Sequence, residues 1–392
     1  KCDGRLVVAS ELAKSAGKGL GSTMALLSSL AAMPALATTG VGGSGNAPTI
    51  TSGVNTDRVI RTATTRNPST SQVLNTPVVQ IRTPSTSGIS HNTYSQFDVS
   101  ATGLMLNNAV TATEAVLAAE STDSGQIQFV IGANPQLSAG AASVILNEVV
   151  SANASTLAGA IEVVGAQADV IIANPYGITC TGCATLNTGL TALVTGSATV
   201  SGSNIAFDLS SAALTIANNG TNDAQLDADK LALVSREIDI QSRINGSEIE
   251  VLAHNGTATL NTSTGGWSTS ATGAESGGAP SFAIDSSALG GMYANTITLT
   301  ATEEGVGVRA LGDMIALGGE ITITADGQLE MGSGAEDVAL QARTISMDGG
   351  DDIAFNRVAI DAVDTGTNGG GSITLDATGD LMIAKGRMGS TG

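Results

Sequence analysis

A chain of 392 residues that is 42% apolar but only 2% aromatic can bury a large core, and that core must be Val, Ile, Leu and Ala packed repetitively rather than a globule pinned by aromatic anchors. A formal charge of −19 argues against nucleic acid as a partner, because phosphate binding needs the opposite sign, and against attachment to anionic membrane surfaces. Forty-nine Gly against eight Pro, among abundant Ser, Thr and Asn, predict many short strands joined by many turns.

Residues 1–37 read as a targeting segment. Arg5, Lys14 and Lys18 precede the apolar run from Met24 to Met33, which falls short of the about 20 residues that a transmembrane helix needs. Ala35 and Ala37 then offer the small side chains of a cleavage site, placing the cut between Ala37 and Thr38. The stretch from Gly4 to Ala13 resembles the extended signal region of large exported proteins of Gram-negative bacteria, and Lys1 is no initiator, so residues are expected ahead of it. Residues 38–76 are Gly-, Ser- and Thr-rich and predict a flexible linker. The Gly40 to Gly45 run within it follows no strand and opens no helix, which rules out a dinucleotide loop. From Pro77 the character changes to strands, at Pro77 to Ile81, Ile89 to Val99 and Leu104 to Asn108.

The stretch from Ile131 to Thr188 organises the rest. Asn134-Pro135-Gln136-Leu137 and Asn174-Pro175-Tyr176-Gly177 bracket β-branched apolar runs, and each predicts a tight reversal between strands. Asn can bond its own backbone two residues on, Pro has φ already set, and Gly177 completes a type I pattern. Loss of one such capping bond should cost about 1 kcal/mol. Behind the second turn stand Cys180 and Cys183. In a chain exported through an oxidising periplasm, Cys2 leaves with the targeting segment and these two have only each other, so a structural disulfide is expected. A redox Cys-x-x-Cys wants a helix N-terminus that a Thr-flanked, strand-rich setting does not offer. Zinc wants four ligands, whereas His91 and His254 are the only two His and both are remote, so no metal and no cofactor are expected.

The ordered motifs Asn134 to Leu137, Ile145 to Val149, Ala173 to Cys183 and Leu186 to Thr188, with the opening strands before them, resemble the secretion domain of the filamentous haemagglutinins, the exoproteins of two-partner secretion. The resemblance implies export through a dedicated outer-membrane transporter. The segment concerned is Asn134, Pro135, Gln136 and Leu137 with Asn174, Pro175, Tyr176, Gly177 and Ile178. Gln136 and Tyr176 stand where Asn is commonest in the family, while the first Asn and the Pro keep the turn physics.

Beyond Thr188 a repeat is measurable. Strand cores at Ile297-Thr298-Leu299, Ile321-Thr322-Ile323, Ile345-Ser346-Met347 and Ile373-Thr374-Leu375 are separated by 24, 24 and 28 residues, two of them followed by Gly327-Gln328-Leu329 and Gly379-Asp380-Leu381. An apolar period of two with Gly-marked corners predicts an all-β fold, a right-handed parallel β-helix, with hairpins or loops leaving the stack. The polar stretch Asn261 to Gly278 is one such departure. Asn107, Asn147 and Asn187, each at a strand end, are expected to stack as an amide ladder. Residues 77–300 then form the secretion domain and 301–392 begin haemagglutinin-type repeats, which the resemblance covers as well.

Three functions compete. The favoured one is an adhesin-type exoprotein, secreted or held at the bacterial surface, with a receptor on a host or neighbouring cell. The second is a contact-dependent growth-inhibition toxin whose killing domain lies past Gly392. The third is a β-helix polysaccharide enzyme, which needs convergent carboxylates in a sugar-gripping groove. Asp348, Asp351 and Asp352 form the densest acidic cluster but occur once, as a solvated turn would, so no catalytic residues are expected.

Overall fold

Short runs in which apolar and polar residues alternate, ended by Gly, Asn or Pro, form strands that pair in parallel with their equivalents one turn later. The structure, a computed structural model, describes residues 49–50, 60–62, 76–122, 125–218, 226–271, 277–287, 290–335, 337–363 and 371–391. The targeting segment and Ala35, Ala37 and Thr38 lie outside them. The fold is a right-handed parallel β-helix, the sense that parallel crossovers take. Each coil runs through three faces in fixed order. The first face runs from Pro77–Gln80 and Leu104–Asn108 to Val358–Val363 and Arg387–Thr391. The second runs from Ile89–Gln96 and Val144–Val149 to the second half of Val338–Gly349, whose first half lies on the first face, and Ser372–Ala377. The third runs from Ser155–Leu157 and Ile178–Cys180 to Ile353–Asn356 and Leu381–Ala384.

The repeat spacing read from the sequence is the register of the second face. Ile297, Ile321, Ile345 and Ile373 are direct partners in successive coils, and the same column runs back through Ile249, Leu231, Thr191 and Val170 to Ile145. Their side chains point inward and, with those of the other two faces, form one continuous core. Leu329 and Ile353 do the same on the third face, while Leu381, their partner in the last coil, is exposed. Among the described residues the helical structure is a single 3-10 turn at Pro135–Leu137.

The outward side of the second face is also apolar, up to Leu252. Val144, Leu146, Ile171, Ala173, Ala192, Val194, Ala232 and Val234 pack under an antiparallel sheet of four strands, Gly196–Ser201, Asn204–Leu209, Thr257–Asn261 and Gly266–Ser270. Two hairpins make this sheet. Both leave the solenoid at the corner between the second and third faces, and they meet through Asn204–Leu209 and Thr257–Asn261. A third hairpin, Thr113–Thr122 with Gly125–Ile131, lays Ala115 and Ile131 over Val78, Met105 and Val164 of the first face.

Two expectations gain detail and one is overturned. The stretch read as a linker carries two short strands, Thr49–Ile50 and Ile60–Thr62, antiparallel to Ile89–Gln96 and Pro77–Gln80. The polar departure after Asn261 is a hairpin as expected, but its second half, Gly266–Ser270, is a true strand, because it has a partner sheet to join. The amide ladder does not form. Asn107 and Asn147 belong to different faces, and the three amides find other partners. Asn107 Nδ2 donates to Gly132 O (2.9 Å) and Gln80 Oε1 (3.0 Å). Asn147 Nδ2 donates to Ile171 O (3.4 Å) while its Oδ1 accepts from the Tyr94 hydroxyl (2.9 Å), and Asn187, at φ 58°, donates to Val163 O (2.7 Å).

Candidate functional site

Both Asn-Pro segments are turns built on the same plan. Asn134 is extended (φ −77°, ψ 116°); its Oδ1 accepts from Gln136 N at 3.0 Å and its carbonyl from Leu137 N at 3.1 Å. Asn174 Oδ1 accepts from Tyr176 N at 2.9 Å and its carbonyl from Gly177 N at 3.2 Å. Gly177 takes φ 108°, a region that a side chain disfavours. Leu137 and Ile178, the apolar residues after each turn, drop into the core.

The other half of each amide reaches across coils, which no local sequence signal announces. Asn134 Nδ2 donates to Ile81 O and to Asn107 O, both at 2.9 Å. Asn174 Nδ2 donates to Asn153 O and Ser155 Oγ, both at 2.9 Å. Each asparagine therefore ends its own turn and fastens it to chain 19 to 53 residues away. The result is burial: Asn134 is 3% exposed and Asn174 0%. Pro135 and Tyr176 stay open to solvent, with Gln136 and Pro175 half-buried.

The two turns are not brought together. The first stands before the second-face strand Val144–Val149, the second after the neighbouring strand Ala168–Ala173, so they occupy opposite corners of adjacent coils. Cys180 ends Ile178–Cys180 on the third face and Cys183 starts Cys183–Leu186 on the first, and a disulfide joins them across the remaining corner, Cα to Cα 5.6 Å.

Charged groups tie the outer sheet to the solenoid. Glu148 Oε1 accepts from Ala198 N of the edge strand at 2.8 Å, while Oε2 meets His91 Nε2 at 2.7 Å. On the other side His254 Nε2 meets Ser270 O of the sheet at 2.8 Å, while Arg236 grips Glu303 of the solenoid through Nε (3.0 Å) and Nη2 (2.8 Å) and donates to Gly277 O (3.3 Å) in the segment returning from the sheet. The Arg236 guanidinium holds the Glu303 carboxyl below the usual carboxylate range. The acidic cluster of the repeats caps a turn: Asp352 Oδ1 accepts from Asp380 N at 2.7 Å. Among the described residues no group of three or more His, Cys, Asp or Glu is arranged to hold a metal ion.

The sequence model of the TPS secretion domain matches residues 59–331. The chain is 41% identical over 256 residues to "16S rRNA endonuclease CdiA" of Enterobacter cloacae, covering 64% of this chain and 7% of that protein. It is 35% identical over 318 residues to "tRNA nuclease CdiA" of Escherichia coli NC101, covering 80% and 9%, and 38% identical over 255 residues to "Toxin CdiA" of Yersinia pestis, covering 65% and 7%. It thus spans under a tenth of the length of these relatives. Among solved structures, the filamentous hemagglutinin secretion domain superposes with a TM-score of 0.57 at 29% identity, covering 79% of this chain and 94% of that one.

Proposed function

The chain belongs to the TPS secretion domain family, and from that premise we propose that it is the part of a large exoprotein that an outer-membrane transporter recognises and that starts β-helix folding outside the cell. The chain serves export rather than catalysis. The route is Sec-dependent entry to the periplasm of a Gram-negative bacterium, removal of residues 1–37 between Ala37 and Thr38, and release or display at the surface. Residues 77–300 act as the secretion domain and 301–392 as the first repeats of a shaft.

The observation that carries the reading is the double use of the two asparagines. In the closed coil their polar atoms are spent on turn and neighbour (Asn134 3% exposed, Asn174 0%), so a transporter can read these two side chains, with Leu137 and Ile178, only before the coils close, while Pro135 and Tyr176 stay open. Recognition then comes first and burial second. Each coil completed outside removes aliphatic surface from water, at about 25 cal/mol per Å² before chain entropy is subtracted, which biases movement outward without ATP.

A second reading concerns the remainder of the exoprotein. The named relatives are toxins and nucleases, which supports a contact-dependent growth-inhibition protein over an adhesin, with a target on a neighbouring cell in place of a host receptor. The test is secretion from cells with and without the cognate transporter. Export only in its presence, with Thr38 as the new N-terminus, is expected; equal release without the transporter refutes the reading.

A further inference from the structure

Cys180 and Cys183 are the two cysteines among the described residues, and they are sealed. Cys180 is 0% exposed and Cys183 5%. In the stack Cys180 lies between Leu157 below and Ile216 above, and Cys183 lies under Leu226. All three covering side chains are buried, and the main chain is closed on both sides, by Thr181 N donating to Leu157 O and Ala217 N to Cys180 O, each at 2.8 Å. Thiol–disulfide exchange needs an attacking sulfur to approach along the axis of the bond it breaks. No such approach exists once the coil carrying Ile216 and Leu226 has stacked. The intervening Thr181 and Gly182, the latter at φ 130°, make a loop short enough to close in an extended chain without help from the fold.

We infer that oxidation of the Cys180–Cys183 pair precedes coil closure, so the folded domain preserves the redox state the chain had when it was still extended. The reaction is a dithiol oxidation by a protein disulfide carrier. One cysteine thiolate attacks the carrier disulfide, forming a mixed disulfide and releasing one carrier thiol. The other cysteine attacks the mixed disulfide, closing the Cys180–Cys183 bond and releasing the second carrier thiol. Two electrons and two protons pass from the cysteines to the carrier. In the cell this places the carrier in the periplasm, ahead of the transporter; that placement rests on the export reading above, whereas the order of oxidation and folding does not.

The purified chain tests the order. Reduced chain held in urea and reduced chain refolded under reductant are both given oxidised glutathione, and the remaining thiols are counted by alkylation and mass. The unfolded pair should oxidise at least about 100-fold faster, because the folded pair reacts only through opening of the coil. The folded disulfide should likewise resist dithiothreitol that reduces it in urea. A reduced chain that fails to refold gives the same order by a stronger route, since the bond is then required for closure. Folded and unfolded rates within about threefold of each other overturn the inference, since they mean the coil opens freely. In cells lacking the transporter, chain trapped in the periplasm by acid should already be oxidised. Free thiols there overturn the placement of the carrier in the periplasm, and absence of the chain from the periplasm counts against the export reading instead.

Discussion

Replacement of Asn134 separates turn capping from cross-coil fastening. The side chain makes three bonds, one to Gln136 N within the turn and two to Ile81 O and Asn107 O outside it. At about 1 kcal/mol each, Asn134→Ala loses about 3 kcal/mol, and the stranded buried groups add about 1 to 3 more. That is a large share of the about 5 to 15 kcal/mol by which a domain is stable, and it replaces the expectation of about 1 kcal/mol for a lone cap. Asn134→Asp is the discriminating variant. It keeps the acceptor for Gln136 N but turns a second oxygen, buried and charged, toward two carbonyls, so it should cost as much as Ala or more. Urea titration of the oxidised chain, followed by circular dichroism, should move the midpoint down by about 1 M or more with the slope unchanged. An Asp variant within about 1 kcal/mol of the parent would mean that the cap is the whole contribution and the cross-coil bonds add nothing.

Ile321, fully buried between Ile297 and Ile345, should tolerate no charge: Ile321→Asp strands a carboxylate in the stack, at a cost of about 4 kcal/mol or more, and should stall export with the N-terminus outside and the C-terminus in the periplasm. Protease accessibility from each side reads the stall, and export at the parental rate refutes it. Phe207→Ala removes a buried ring that stacks near Trp267 (centroids 5.8 Å) and should cost about 3 to 5 kcal/mol, felt locally. Hydrogen exchange should speed up in 196–209 and 257–270 but not in 296–301; equal acceleration throughout would show that sheet and solenoid open as one unit. Glu303, its carboxyl held low by Arg236, adds stability that is present above its unfolded pKa and lost as pH falls through the folded one. Glu303→Gln should therefore flatten the acid limb of Tm against pH, while burial that pushes up Asp169, Asp227 and Glu250 acts in the opposite sense and is common to both proteins. An unchanged acid limb in the variant rules out this role.

The solenoid was legible because its coils repeat: Ile297, Ile321, Ile345 and Ile373 are separated in the sequence by the length of a coil and meet in register. The turns were legible because Asn-Pro physics is local. Their cross-coil bonds were not, since Ile81 is 53 residues from Asn134 and nothing near either residue encodes the pairing. The outer sheet leaves a subtler signal. Thr296–Ala301 reads TITLTA and alternates in burial, whereas Ala168–Ala173 reads ADVIIA, and the unbroken apolar run from Val170 to Ala173 means that both faces of the strand are covered there. Asn204–Leu209 alternates cleanly, as a cover with one buried and one wet face does.

Where the cover stops has a physical reason. A later coil forms on a finished one, which supplies a ready edge and an apolar floor. The early coils have no such template, and a terminal repeat needs other surfaces to stabilise it. Here the early coils are flanked by two antiparallel strand pairs, closed over Val78 and Met105 by one hairpin and over the second face by two more, all drawn from insertions before Phe282. Past Leu252 the outward positions in register become Thr300, Thr324 and Asp348, which need no cover. The apolar outward face is thus confined to the coils that must form first. Two-sided burial there supplies the stability that stacking alone supplies afterwards.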